Sequence, residues 1–127
     1  MLHQRHYTLE EATAVRPWVT ERIDLIRRSQ ASLVELGAHA RAAISSLDPQ
    51  TGGSYPGREV ATALVALSRA LNELDAVDVV VRDVERGLVD FPALRDGEEV
   101  YLCWLVDEDE IGFWHAPDAG FAGRRPL

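Results

Sequence analysis

The stretch 77-VDVVVRDVERGLVDFPALRDGEEVYLCWLV-106 decides the fold, because within it the spacing of apolar residues changes from helical to alternating. VDVVVRDV is rich in β-branched residues, GLVDFPAL follows a charged turn, and RDGEE carries an Asp-Gly turn dipeptide. VYLCWLV then alternates, which puts Val100, Leu102, Trp104 and Val106 on one face. Pro92 has no amide to give to a ladder, so its strand is expected at an edge, or to end there. After the acidic run 107-DEDE-110, IGFWHA is read as a last strand with Ile111, Phe113 and His115 on one face and Trp114 on the other. Three or four short antiparallel strands in a meander are the expectation.

Upstream the period is helical. Thr8 is a good N-cap, and Glu11 stands three residues on, where a capping-box carboxylate reaches back to the Thr8 amide. Val15, Val19, Ile23, Ile26, Leu33, Leu36, Ala40, Ile44 and Leu47 fit one face of a helix from about Leu9 to Leu47. Pro17 predicts a kink, or a short first helix running into a second. Pro, Gly and Ser in 48-DPQTGGSYPG-57 mark a loop. Val60, Leu64, Leu67, Leu71 and Leu74 then give a second amphipathic helix from about Arg58 to Ala76. The two helices are expected to pack antiparallel and bury these seams against each other.

The expectation is an α+β fold: a long antiparallel helical hairpin (1–76) packed on a small antiparallel meander with an ordered, docked tail (77–127), in a single domain. Half a four-helix bundle invites a second copy, so a homodimer through the helices is expected. The net charge is −8. Residues 1–72 carry 8 Arg against 7 acids, and residues 73–127 carry 5 Arg against 14. That balance makes nucleic acid a poor partner. All 13 basic residues are Arg, which excludes a lysine Schiff base and a P-loop lysine. No apolar run approaches the roughly 18 residues of a membrane span, and the N-terminal residues lack a signal-peptide pattern, so no membrane association and a cytoplasmic location are expected. A lone cysteine excludes an internal disulfide.

YTLEEA, GLVDFPAL, VYLCW, WH and GFAGRRPL, in that order, resemble the small bacterial family called domain of unknown function 2203. The resemblance runs essentially from end to end, with Tyr7 where Phe is expected and Thr13 where Asn is expected. It implies the fold and points to positions, and it brings no reaction with it.

Chemistry-bearing side chains gather in those C-terminal motifs: Asp90, Cys103, His115, Asp118, Arg124 and Arg125. One expectation is a binding or interaction module, with no commitment to catalysis, whose pocket is lined by Trp104, Trp114, His115, Arg124 and Arg125. Such a pocket suits a small anionic ligand, since guanidinium forks match carboxylate or phosphate. The alternative is a metal-binding protein or metal-dependent enzyme holding zinc or iron through His115 with Asp90, Cys103 or Asp118. No H-x-x-x-H, H-E-x-x-H or C-x-x-C spacing is present to support it. The third reading is a scaffold: Cys103 a buried small hydrophobe, DEDE a solvated turn, and Arg124 and Arg125 paired with Asp90 or its neighbours to clamp the tail. His3 and His6 precede the first helix and are not included among the ligands.

Overall fold

The computed structural model describes residues 1–45 and 57–127, and for 40–45 the helix without its side chains. Of the loop expected at 48–57 only Gly57 is described, and it opens the second helix; Leu47 and the side chains of Ala40 and Ile44 also lie outside the described residues. The elements are α1 (Leu9–Ser45), α2 (Gly57–Ala76), β1 (Val80–Asp83), β2 (Leu88–Arg95), β3 (Glu98–Leu105), β4 (Phe113–His115), one 3₁₀ turn (Phe121–Gly123) and β5 (Arg125–Pro126). The strands form one antiparallel sheet in the order β1-β2-β3-β4-β5. The architecture is α+β, and the tail supplies a fifth strand by pairing Arg125 with Trp114 and Pro126 with Phe113.

α1 begins at a complete capping box. The Glu11 amide donates to Thr8 Oγ1 at 3.0 Å, and the Thr8 amide donates to Glu11 Oε1 at 3.0 Å. Those hydrogen bonds, the Thr8 amide first, hold the Glu11 carboxyl below its ordinary value. Pro17 neither ends nor divides the helix. A missing amide in a helix interior costs about 3 kcal/mol, and Ala12, Val19, Ile23 and Ile26, all fully buried on either side of it, offset that loss.

On α2 the buried face differs from the expected leucine seam. Ala63, Ala70 and Leu74 are buried, while Leu64 and Leu71 are exposed. Small side chains at 63 and 70 suit a close approach of the two helices, which turns the larger leucines outward.

Alternation then separates the two faces of the sheet. Val89, Phe91 and Ala93 of β2, with Val100, Leu102 and Trp104 of β3, join the helices in one core. Asp90 and Cys103, cross-strand partners in the β2–β3 register, point the other way. Asp96 (φ 53°) and Gly97 (φ 79°) close that hairpin with two left-handed residues, the geometry of a two-residue type I′ turn. Pro92 lies inside β2, yet β1 pairs only as far as Asp90. Beyond it the Tyr7 amide donates to the Pro92 carbonyl at 2.7 Å, so the proline sits where β1 has already ended. Ile111 departs from its expected face: Gly112 separates it from β4, and it packs in the core with Trp114 while His115 faces outward. Among the described residues no helix is long and apolar enough to cross a membrane.

Candidate functional site

The outward face of the sheet carries a buried polar cluster. Asp90 in the middle of β2, Cys103 opposite it on β3 and His115 at the end of β4 are 1%, 0% and 2% exposed. Strand pairing places them: Asp90 is level with Cys103, and Tyr101, two residues before Cys103 on the same face, is level with His115. One donor atom from each of the three side chains lies within 4.8 Å of the other two.

The pairing within the cluster is specific. His115 Nε2 lies 2.9 Å from Asp90 Oδ2, and His115 Nδ1 donates to the Ala116 carbonyl at 2.8 Å. With its proton on Nδ1, a neutral imidazole turns the Nε2 lone pair toward a carboxylate oxygen. Two lone pairs at that distance need a cation between them, a proton or a metal ion. Arg82 of β1 donates Nε to the same Oδ2 at 2.9 Å. Asp90 Oδ1 is buried with no hydrogen-bond partner among the described residues, an expensive state for a carboxylate oxygen.

Burial, reinforced by the Asp90 charge and opposed by Arg124, pushes the Cys103 thiol up to about 12. Cys103 is therefore a protonated thiol without an ion to displace its hydrogen. A Cys-His-Asp nucleophile arrangement does not form, because the ring nitrogen facing away from Asp90 is tied to the Ala116 carbonyl.

The cluster opens on a cavity of about 360 Å³. Leu88 and Phe121 give it apolar lining, and Arg82 with the exposed Pro117, Asp118 and Gly120 complete it. Thus the metal set read from the sequence is brought to one place: Asp90, Cys103 and His115 converge, and Asp118 lines the same cavity from the rim.

The five residues read as one pocket do not share one. Trp104 is in the core on the helix side, its Nε1 donating to the Glu108 carbonyl at 3.0 Å. Trp114 also faces that side, with Arg95 at 4.4 Å and Arg125 at 5.6 Å from its ring centroid. His115 and Arg124 lie on the outward side. Alternation along β4 separates Trp114 from His115, since neighbouring residues in a strand cannot share a face.

The tail clamp also differs in its partners. Asp90 takes Arg82, while Arg124 donates to Glu108 Oε1 at 2.8 Å and to the Cys103 carbonyl at 3.3 Å, with its guanidinium over Phe113 and Phe121. Glu108 accepts the Leu105 amide as well, at 2.8 Å, so this member of DEDE organises its turn and the tail together.

The segment ahead of α1 was missing from the sequence reading of the site. His6 Nε2 donates to Glu99 Oε2 at 2.8 Å, and the amides of Leu2 and His3 donate to the same carboxylate. His3 Nδ1 faces Asp78 at 3.3 Å, and its Nε2 lies 2.7 Å from the Tyr101 hydroxyl. The Tyr101 ring stands between this strap and the site, 5.4 Å from the His115 ring and 4.9 Å from the Arg82 guanidinium. Arg82 had a signal in the sequence, as the residue on the Val80 side of β1; the strap residues had none, since every partner is more than 70 positions away.

A model of the family described as Uncharacterized conserved protein (DUF2203) matches residues 5–127. No curated protein and no solved structure matches the chain.

Proposed function

The chain belongs to the uncharacterised conserved family DUF2203, and we propose that it is a transition-metal-binding module, with zinc or iron held by Asp90, Cys103 and His115. The observation that carries this reading is the convergence of a carboxylate, a thiol and an imidazole, all buried, within 4.8 Å of one another. An ion with bonds of about 2.0 Å to N and O and about 2.3 Å to S has tetrahedral edges of about 3.3–3.6 Å. Shifts of about an ångström close the set. The unpartnered Asp90 Oδ1 supports the reading, because a cation would satisfy it. Three protein ligands beside a cavity leave a fourth position open, the pattern of ions that bind or activate something rather than only brace a fold. A cytoplasmic setting, where thiols stay reduced, belongs to the same proposal.

Cobalt(II) titrated into chelator-treated protein tests it. A single ion per chain should give the visible bands of a four-coordinate site and a thiolate charge-transfer band. Cys103→Ser should remove the charge-transfer band, and His115→Ala should weaken binding by more than the 10–100-fold that follows loss of a supporting partner. Asp90→Asn should weaken it as well. No binding by the wild-type protein rejects the reading.

A second reading is favoured by Arg82, whose Nε already occupies Asp90 Oδ2. On it, Arg82, Asp90 and His115 form a metal-free ionic staple across β1, β2 and β4. His115→Ala would then lower Tm while leaving metal uptake absent in wild type and variant alike.

A further inference from the structure

An ion held by three protein ligands needs a fourth, and the environment of the open side identifies its chemistry; this step rests on the metal reading above. A divalent ion with the Asp90 carboxylate, a Cys103 thiolate and neutral His115 sums to zero charge. Arg82 then leaves the open side positive. Its Nε is committed to Asp90, at 2.9 Å, and its guanidinium lies over the Tyr101 ring at the cavity wall. Phe121, which also lines the cavity, has the Arg86 guanidinium 4.5 Å from its ring centroid, and that of Arg124, already paired with Glu108, at 4.8 Å. Asp118, the acid of the rim, is exposed to water.

A neutral ligand would leave the Arg82 charge uncompensated in a partly closed space, whereas a planar or tetrahedral oxyanion matches the ion and the guanidinium at once. One oxygen completes the coordination of the ion, and another accepts from a guanidinium, whose fork is shaped for carboxylate and phosphate. We infer that this cavity takes a small oxyanion, a carboxylate or a phosphate group, bridging the ion bound by Asp90, Cys103 and His115 and the guanidinium of Arg82. Leu88 and Phe121 offer contact to the apolar remainder of such a molecule.

The test uses the cobalt-loaded full chain, freed of unbound ion, titrated separately with acetate and with inorganic phosphate. The expected result is a saturable change in the visible cobalt bands with at least one of the two, the thiolate band persisting. Whichever responds names the class. Arg82→Gln, itself saturated with cobalt, should raise the anion dissociation constant about tenfold or more, the scale of one charge-assisted hydrogen bond. Arg82→Lys should restore part of the loss. Persistent thiolate and visible bands that neither anion alters overturn the inference and leave the metal reading standing. Failure of the wild-type chain to take up cobalt overturns both. An anion response undiminished in both Arg82 variants overturns the bridging role assigned to that side chain.

Discussion

Glu99 anchors the segment that precedes α1, and its carboxyl shows what the anchoring is worth. Burial works to raise its pKa, but hydrogen bonds from His6 and from the Leu2 and His3 amides, with the charge of His3, outweigh burial and hold it at about 2. A depressed carboxyl contributes stability that is fully present above its ordinary value of about 4.5 and is lost as pH falls through about 2. Thermal melts of wild type and Glu99→Gln should therefore differ at neutral pH, converge as the pH drops below about 4.5, and nearly coincide at about 2. A difference independent of pH would mean that the strap is held by contacts other than this carboxylate. Asp78 plays the companion role from a left-handed position, φ 60°, a conformation that Asp tolerates better than most residues.

The turns make a sharper comparison between elements. Gly87 (φ 69°) and Gly97 (φ 79°) both use the region where a β-carbon is strained. Among the described residues a β-carbon at 97 would meet nothing within 4 Å, whereas one at 87 would come within 2.7 Å of Arg27 Nη2 and 2.9 Å of Val106 Cγ2. Arg27 donates to the Val84 and Glu85 carbonyls, tying α1 to the β1–β2 turn, so the clash falls on a joint between layers. Gly97→Ala should cost the backbone strain alone, about 1–2 kcal/mol, and Gly87→Ala distinctly more, measured by denaturant unfolding. Equal losses would show that Arg27 yields freely. The capping box, the Asp-Gly hairpin and the alternation of β3 were legible in the sequence because each is a local pattern. Convergence of Asp90, Cys103 and His115 was not, since it depends on which residue stands opposite which across three strands. The partners of Arg124 and of the strap were hidden for the same reason.

At the scale of the whole molecule, α1 outruns the layer it covers. Its 37 residues extend about 55 Å, at about 1.5 Å per residue, while the longest strands, of 8 residues, span about 27 Å. Val34 of α1 and Leu64, Val65 and Leu71 of α2 are 73%, 50%, 58% and 41% exposed, which supports our proposal of a homodimer through the helices. Sedimentation equilibrium should give twice the chain mass, and Leu64→Glu with Val65→Glu should give monomers of nearly unchanged helical content. A monomeric wild type rejects the dimer. The two-residue Asp96-Gly97 turn carries a consequence for the chemistry far from it. Each strand is a parity code, odd positions to one side and even to the other, and the turn fixes the phase between the β2 and β3 codes. One inserted residue there would shift that phase. With Phe91 and Trp104 still claiming the oily side, the ladder would have to bulge; without a bulge, Cys103 would turn inward, His115 would follow its β3 partner Tyr101, and Asp90 would be left alone on the outward face. An indel beyond the reach of any ligand could thus silence the site while sparing much of the scaffold.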